Sequence, residues 1–116
     1  MELKKLQAHV AKFRDDRNWR QFHNPKDLAQ AISIETAELM EHFLWKTPEE
    51  VEEVMSNPSS RQQVEEELAD IFSYLLSFTE AHGVDLEKAL MAKIEKNALK
   101  YPIQVVKGKS QKYTEY

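Results

Sequence analysis

The residue types able to do chemistry in this sequence are two pairs of acids, Glu35 with Glu38 and Glu67 with Asp70, three positions apart within each pair and separated by residues 39–66. Residues three apart are neighbours on a helix, where like charges destabilise each other. The flanks are apolar: Ile32, Ile34, Leu39 and Met40 surround the first pair, and Leu68, Ala69, Ile71 and Phe72 surround the second. A half-buried carboxylate needs a partner, and neither stripe carries a Lys or Arg. Hard divalent cations resolve the conflict, because Mg²⁺, with Mn²⁺ as the alternative, prefers oxygen ligands and keeps positions open for water and phosphate. Four carboxylates could hold one ion or a pair. The competing reading is a set of solvated acidic faces, as expected of Glu49, Glu50, Glu52 and Glu53; the second pair, on the more apolar helix, tips the balance toward metal.

Other chemistries find no residues. With no cysteine there is no thiol nucleophile, disulfide or zinc-thiolate site, and with two glycines there is no phosphate-cradling Gly-rich loop. A di-iron carboxylate bundle needs Glu three residues before His. Here Leu6, Arg20, Leu39 and Thr79 precede His9, His23, His42 and His82 by three. No Ser is tied to a His and an acid by a recognisable pattern. Metal-assisted hydrolysis is what remains.

The 116 residues predict one domain, and 16 basic against 20 acidic side chains (net −4) provide no positive field to gather nucleic acid. The apolar stretches fall short of the ~20 residues of a membrane helix, and the first residues lack the apolar core of a signal peptide. A cytoplasmic protein is the expectation, with no nucleic-acid or membrane partner.

The elements that must position the acids are all helices. Asn24-Pro25, the capping box Thr47-Pro48-Glu49-Glu50, Asn57-Pro58 and Asp85 open helices, while Gly83 and Tyr101-Pro102 close them. These signals predict helices near 2–18, 26–45, 48–56, 60–82 and 86–100, an all-α four-helix bundle with an extra short helix. Glu67, Asp70, Tyr74 and Ser77 then share an arc of about 80° at ~100° per residue, as do Glu35, Glu38, His42 and Trp45. Trp45 would close the second helix's acidic stripe. Helix 1 carries Leu3, Leu6, Val10 and Phe13 at spacings of three and four, an amphipathic stripe that needs a partner surface. From Leu68 to Phe78 the helix over 60–82 is apolar nearly all round, more than a short bundle can cover, which predicts a homo-oligomer, dimer or tetramer. Residues 1–102 form the expected catalytic domain. Residues 103–116 form a polar, basic tail with Lys107, Lys109 and Lys112, which composition assigns to a plain terminus rather than to an arm closing over an anionic ligand.

At this point the sequence resembles the MazG-type all-α nucleoside triphosphate pyrophosphohydrolases, whose signature is Glu-x-x-Glu, a gap, then Glu-x-x-Asp. It reads here Glu35-Thr36-Ala37-Glu38 and Glu67-Leu68-Ala69-Asp70, with Ile34 where many members carry an additional acid. The likeness is nearest to the dCTP pyrophosphatase branch, from about residue 10 onward. It rests on Phe13-Arg14, Arg17 through His23, Phe43-Leu44-Trp45-Lys46, Glu66 through Asp70 with Tyr74, Lys93 with Asn97, Lys100-Tyr101-Pro102 and Lys112-Tyr113-Thr114-Glu115. The resemblance implies that Glu35, Glu38, Glu67 and Asp70 hold Mg²⁺ and carry catalysis. It also implies that Trp19, His23, Trp45, Tyr74 and Asn97 shape a nucleoside pocket and that Lys93 meets phosphate. Asn18 stands where that branch often has Asp. The expected activity is conversion of (deoxy)nucleoside triphosphates, dCTP-like pyrimidines first, to monophosphate and pyrophosphate. The alternative is a non-catalytic helical module using the carboxylates as a metal or partner site.

Overall fold

A helix's first turn leaves backbone donors without partners, and short polar side chains satisfy them. In the computed structural model, which describes residues 2–108, that logic places every start the punctuation suggests. Helix α1 spans Leu3–Asp16, a 3₁₀ turn covers Arg20–Phe22, and α2, α3 and α4 span Pro25–Glu41, Pro48–Ser56 and Pro58–His82. They belong to one compact unit, Met1–Val84. A second unit, Asp85–Tyr116, holds α5 (Leu86–Lys100) and the single turn α6 (Ile103–Val106). Asn24 accepts from the Asp27 amide at 2.9 Å, and Thr47 and Glu50 exchange both bonds of a capping box at 3.2 Å. Asn57 and Asp85 cap α4 and α5 in the same way. Gly83, at φ 65°, ends α4 in the left-handed conformation that glycine adopts without strain.

Two helices stop earlier than their periodicity suggests. α1 ends at Asp16, and Asn18 turns the chain at φ 56°. α2 ends at Glu41, not at 45: beyond it the bonds tighten to three-residue spacing, Phe43 N to Met40 O at 3.0 Å, and Trp45 takes φ 60°. Pro48 sets only an outer limit, since Thr47 before it is driven out of the α region and the chain must leave the helix ahead of that residue. No glycine is available there, so the left-handed position falls to a bulky residue, a strained choice. Trp45 therefore does not close the acidic stripe of α2; it projects from the loop at 93% exposure.

Within the first unit α4 is the central helix, with α1, α2 and α3 all packed on it. Among the described residues, Leu28 of α2 and Val64 and Leu76 of α4 are the buried apolar side chains, joined in the interior by Arg14, Ser77 and Thr79. Gln7 Nε2 donates to Thr79 Oγ1 at 2.9 Å, and Arg14 pairs with Glu80, so polar contacts as well as apolar ones hold α1 on α4. Leu68 and Phe72 stay substantially exposed on α4, as do Ile34 and Met40 on α2. In the second unit α5 exposes Leu90, Met91, Ile94 and Leu99. α6 puts a turn of helix into the stretch expected to be a polar tail. Lys109, Lys112 and Tyr113-Thr114-Glu115 lie outside the described residues. Among the described residues no helix is long and apolar enough to cross a membrane.

Candidate active site

The packing of α2 along α4 brings the two acidic pairs together. One carboxylate oxygen from each of Glu35, Glu38 and Glu67 lies within 4.8 Å of the others. Glu35 and Glu67 are half-buried, and the Oε2 atom of each is buried with no hydrogen-bond partner. Burial, then Glu38 by hydrogen bond and charge, then the charge of Asp70 push the Glu35 carboxyl up to about 7. Ion pairs elsewhere in the unit, Lys12–Asp16, Arg14–Glu80 and Arg61–Glu65, do nothing to relieve this cluster. His42, just past the end of α2, reaches it: Nε2 lies 3.5 Å from Glu67 Oε1. Oxygen-only donors, unpartnered buried oxygens and mutual repulsion fit a hard divalent cation such as Mg²⁺ or Mn²⁺.

Asp70, one turn beyond Glu67, is not part of the triad. It lines a cavity of about 140 Å³ together with Trp19, His23, Tyr74 and, at the buried end, Arg14 and Ser77. Tyr74 links the cavity to the acids, because burial first and the charges of Glu35, Asp70 and Glu38 next raise its phenol above the ordinary value. His23 is shifted the other way: burial, reinforced by the Arg14 charge, lowers its pKa and keeps the ring neutral at pH 7. Its Nδ1 is buried without a partner. Trp19 meets Phe13 edge-on, with centroids 5.9 Å apart. The cavity thus has an aromatic wall and polar groups without full satisfaction, the composition of a small-molecule site.

Three of the residues expected to shape a nucleoside pocket, Trp19, His23 and Tyr74, share this cavity, and Trp45 is not among its lining residues. Lys93 and Asn97 sit one turn apart on α5 in the second unit, both exposed. Two residues without an expected role stand out. His42 was visible only as a member of the acidic stripe. Arg14 carried a clearer signal, since it follows Val10 by four residues on the apolar stripe of α1, where a lone cation must find an anion inside the fold.

The chain matches the MazG-like family over residues 30–116. It is 38% identical over 113 residues to dCTP pyrophosphatase 1 of Bos taurus, covering 97% of this chain and 67% of that protein. It is equally identical to dCTP pyrophosphatase 1 of Homo sapiens, over 97% of this chain and 66% of that one. The chain thus spans about two thirds of the length of these relatives. The crystal structure of a pyrophosphatase from Archaeoglobus fulgidus superposes with a TM-score of 0.79 at 41% identity, covering 85% of this chain and 91% of the other. With Glu35-x-x-Glu38 and Glu67-x-x-Asp70 on packed helices, and with this match across three quarters of its length, the chain belongs to the MazG-like family.

Proposed function

We propose that the chain is a Mg²⁺-dependent nucleoside triphosphate pyrophosphohydrolase that converts dCTP-like pyrimidine nucleotides to monophosphate and pyrophosphate. The observation that carries the reading is the carboxylate triad, with two buried oxygens lacking partners, beside a cavity walled by Trp19, His23 and Tyr74. Relatives named dCTP pyrophosphatase 1 support the substrate class.

Glu35, Glu38, Glu67 and Asp70 would hold the metal. When bound, Mg²⁺ neutralises triphosphate charge and lowers the pKa of a coordinated water. A carboxylate of the set accepts the proton of the attacking water. Trp19 offers the base a stacking face, while Tyr74 and neutral His23 supply hydrogen-bonding groups at its edge. The roles of Trp45 as an aromatic face, of Asn97 as a reader of the base and of Lys93 as a phosphate contact rest on the family resemblance alone. Residues 1–102 carry this machinery. The absence of cysteine suits a cytoplasmic setting.

The enzyme works as a homo-oligomer in this reading. Support comes from Ile34, Met40, Leu68 and Phe72, large apolar side chains left 41–59% exposed on α2 and α4. Light scattering tests it, and a fully active species of 13.6 kDa would oppose it.

The deciding assay is pyrophosphate release from dCTP and a mixed nucleotide panel, with and without Mg²⁺. Metal-dependent release of pyrophosphate and monophosphate supports the enzyme. Metal binding without turnover on any nucleotide favours the non-catalytic module.

A further inference from the structure

Arg14 retains 1% exposure and lines the cavity, although no metal or phosphate role falls to it. A buried guanidinium is costly unless its donors are engaged. Here Nε and Nη2 donate to Asp15 at 2.9 and 3.2 Å, and Nη1 donates to Glu80 on α4. The Arg14 carbonyl oxygen accepts from the amides of Arg17 and Trp19 at 3.2 and 3.1 Å. One residue therefore grips α4 through its side chain and the aromatic segment through its backbone. The Arg17 guanidinium covers the Phe13 ring, 3.6 Å from its centroid, and Phe13 in turn supports Trp19. Further on, His82 Nε2 donates to the His23 carbonyl oxygen at 3.0 Å. The segment from Trp19 to His23 is thus tied to α4 at Glu80, through Arg14, and at His82.

We propose that Arg14 is a positioning residue for the nucleoside pocket: its ion pair with Glu80 holds the wall formed by Trp19 and His23 against the Tyr74 side of α4. The inference rests on the pocket reading given under the proposed function. A purely stabilising ion pair is the competing explanation, and energetics separate the two. Apolar residues of similar size often replace a buried ion pair with no loss of stability. They do not restore a directional tether.

The experiment compares wild type with Arg14→Met and with the double variant Arg14→Met/Glu80→Leu, measuring thermal midpoint, kcat and KM for dCTP. A parallel set in a Trp45→Phe background reads Trp19 fluorescence anisotropy without nucleotide. Arg14→Met is expected to lower the midpoint and raise KM about tenfold while kcat stays within about twofold. The double variant is expected to recover the midpoint yet keep the raised KM and a lowered Trp19 anisotropy. Wild-type KM and anisotropy in a double variant of recovered stability would overturn the proposal, as would a fall in kcat with KM unchanged. If wild type hydrolyses no nucleotide, the pyrophosphohydrolase reading fails by itself, and the anisotropy still decides: unchanged values in both variants overturn the role of Arg14.

Discussion

His42 Nε2 lies 3.5 Å from Glu67 Oε1, so the first residue beyond α2 braces a carboxylate at the middle of α4. The contact joins the two helices at the point where their acids meet. Groups that orient a metal ligand commonly change metal affinity by 10–100-fold when removed. His42→Ala should raise the Mg²⁺ concentration for half-maximal turnover about tenfold, with kcat at saturating Mg²⁺ little changed. A Mg²⁺ titration of pyrophosphate release checks this, and an unshifted midpoint would leave the contact without a role.

Glu38→Gln and Asp70→Asn each delete a charge from the cluster without changing core volume. Hydrolysis should fall by more than about a hundredfold in both, since the metal loses a ligand. Helical circular dichroism should be unchanged, and the thermal midpoint of the metal-free protein should hold or rise because like-charge repulsion is relieved. Near-normal turnover of both variants at moderate Mg²⁺ would remove the metal assignment.

Glu35 dictates how the metal-free protein responds to pH. Its carboxyl titrates near 7 in the fold and near 4.5 when the chain is unfolded. Between those values the folded state holds the extra proton, so stability declines as pH rises from about 4.5 to 7 and levels off above. Glu35→Gln should flatten that part of the profile, and Mg²⁺ should restore stability at pH 8 because it binds the ionised cluster. Urea midpoints at pH 5 and pH 8, with and without Mg²⁺, decide it. An identical decline in Glu35→Gln would place the titration on another group.

Selectivity separates stacking from edge recognition. Stacking tolerates many bases, whereas an unmatched buried donor or acceptor is costly. Trp45→Ala should raise KM for all nucleotides together, while Asn97→Ala should narrow the gap between dCTP and the rest. A kcat/KM panel over dCTP, dTTP, dUTP, dATP and dGTP for wild type and both variants gives the answer. A wild type favouring purines, or an Asn97→Ala profile parallel to wild type, would refute the base-reading assignment and leave the metal site standing.

Much of this molecule is determined locally. Asn24, Thr47, Asn57 and Asp85 cap the helices they precede because capping depends only on a side chain and the next three amides. The pairing of Glu35 with Glu38 and of Glu67 with Asp70 follows from helical spacing, and the apolar flanks of α4 mark it as central for the same reason. What periodicity could not decide was where α2 ends: the helix stops at Glu41, and Trp45, at φ 60°, leaves the stripe. Nor could it decide which acids converge. Oxygens of Glu35, Glu38 and Glu67 meet within 4.8 Å, while Asp70, whose charge still reaches Glu35, also lines the cavity. The Arg14–Glu80 pair and the approach of His42 to Glu67 join residues far apart in the chain. Spacing along a helix fixes which residues share a face, but only the packing of one helix on another brings partners that distant within reach.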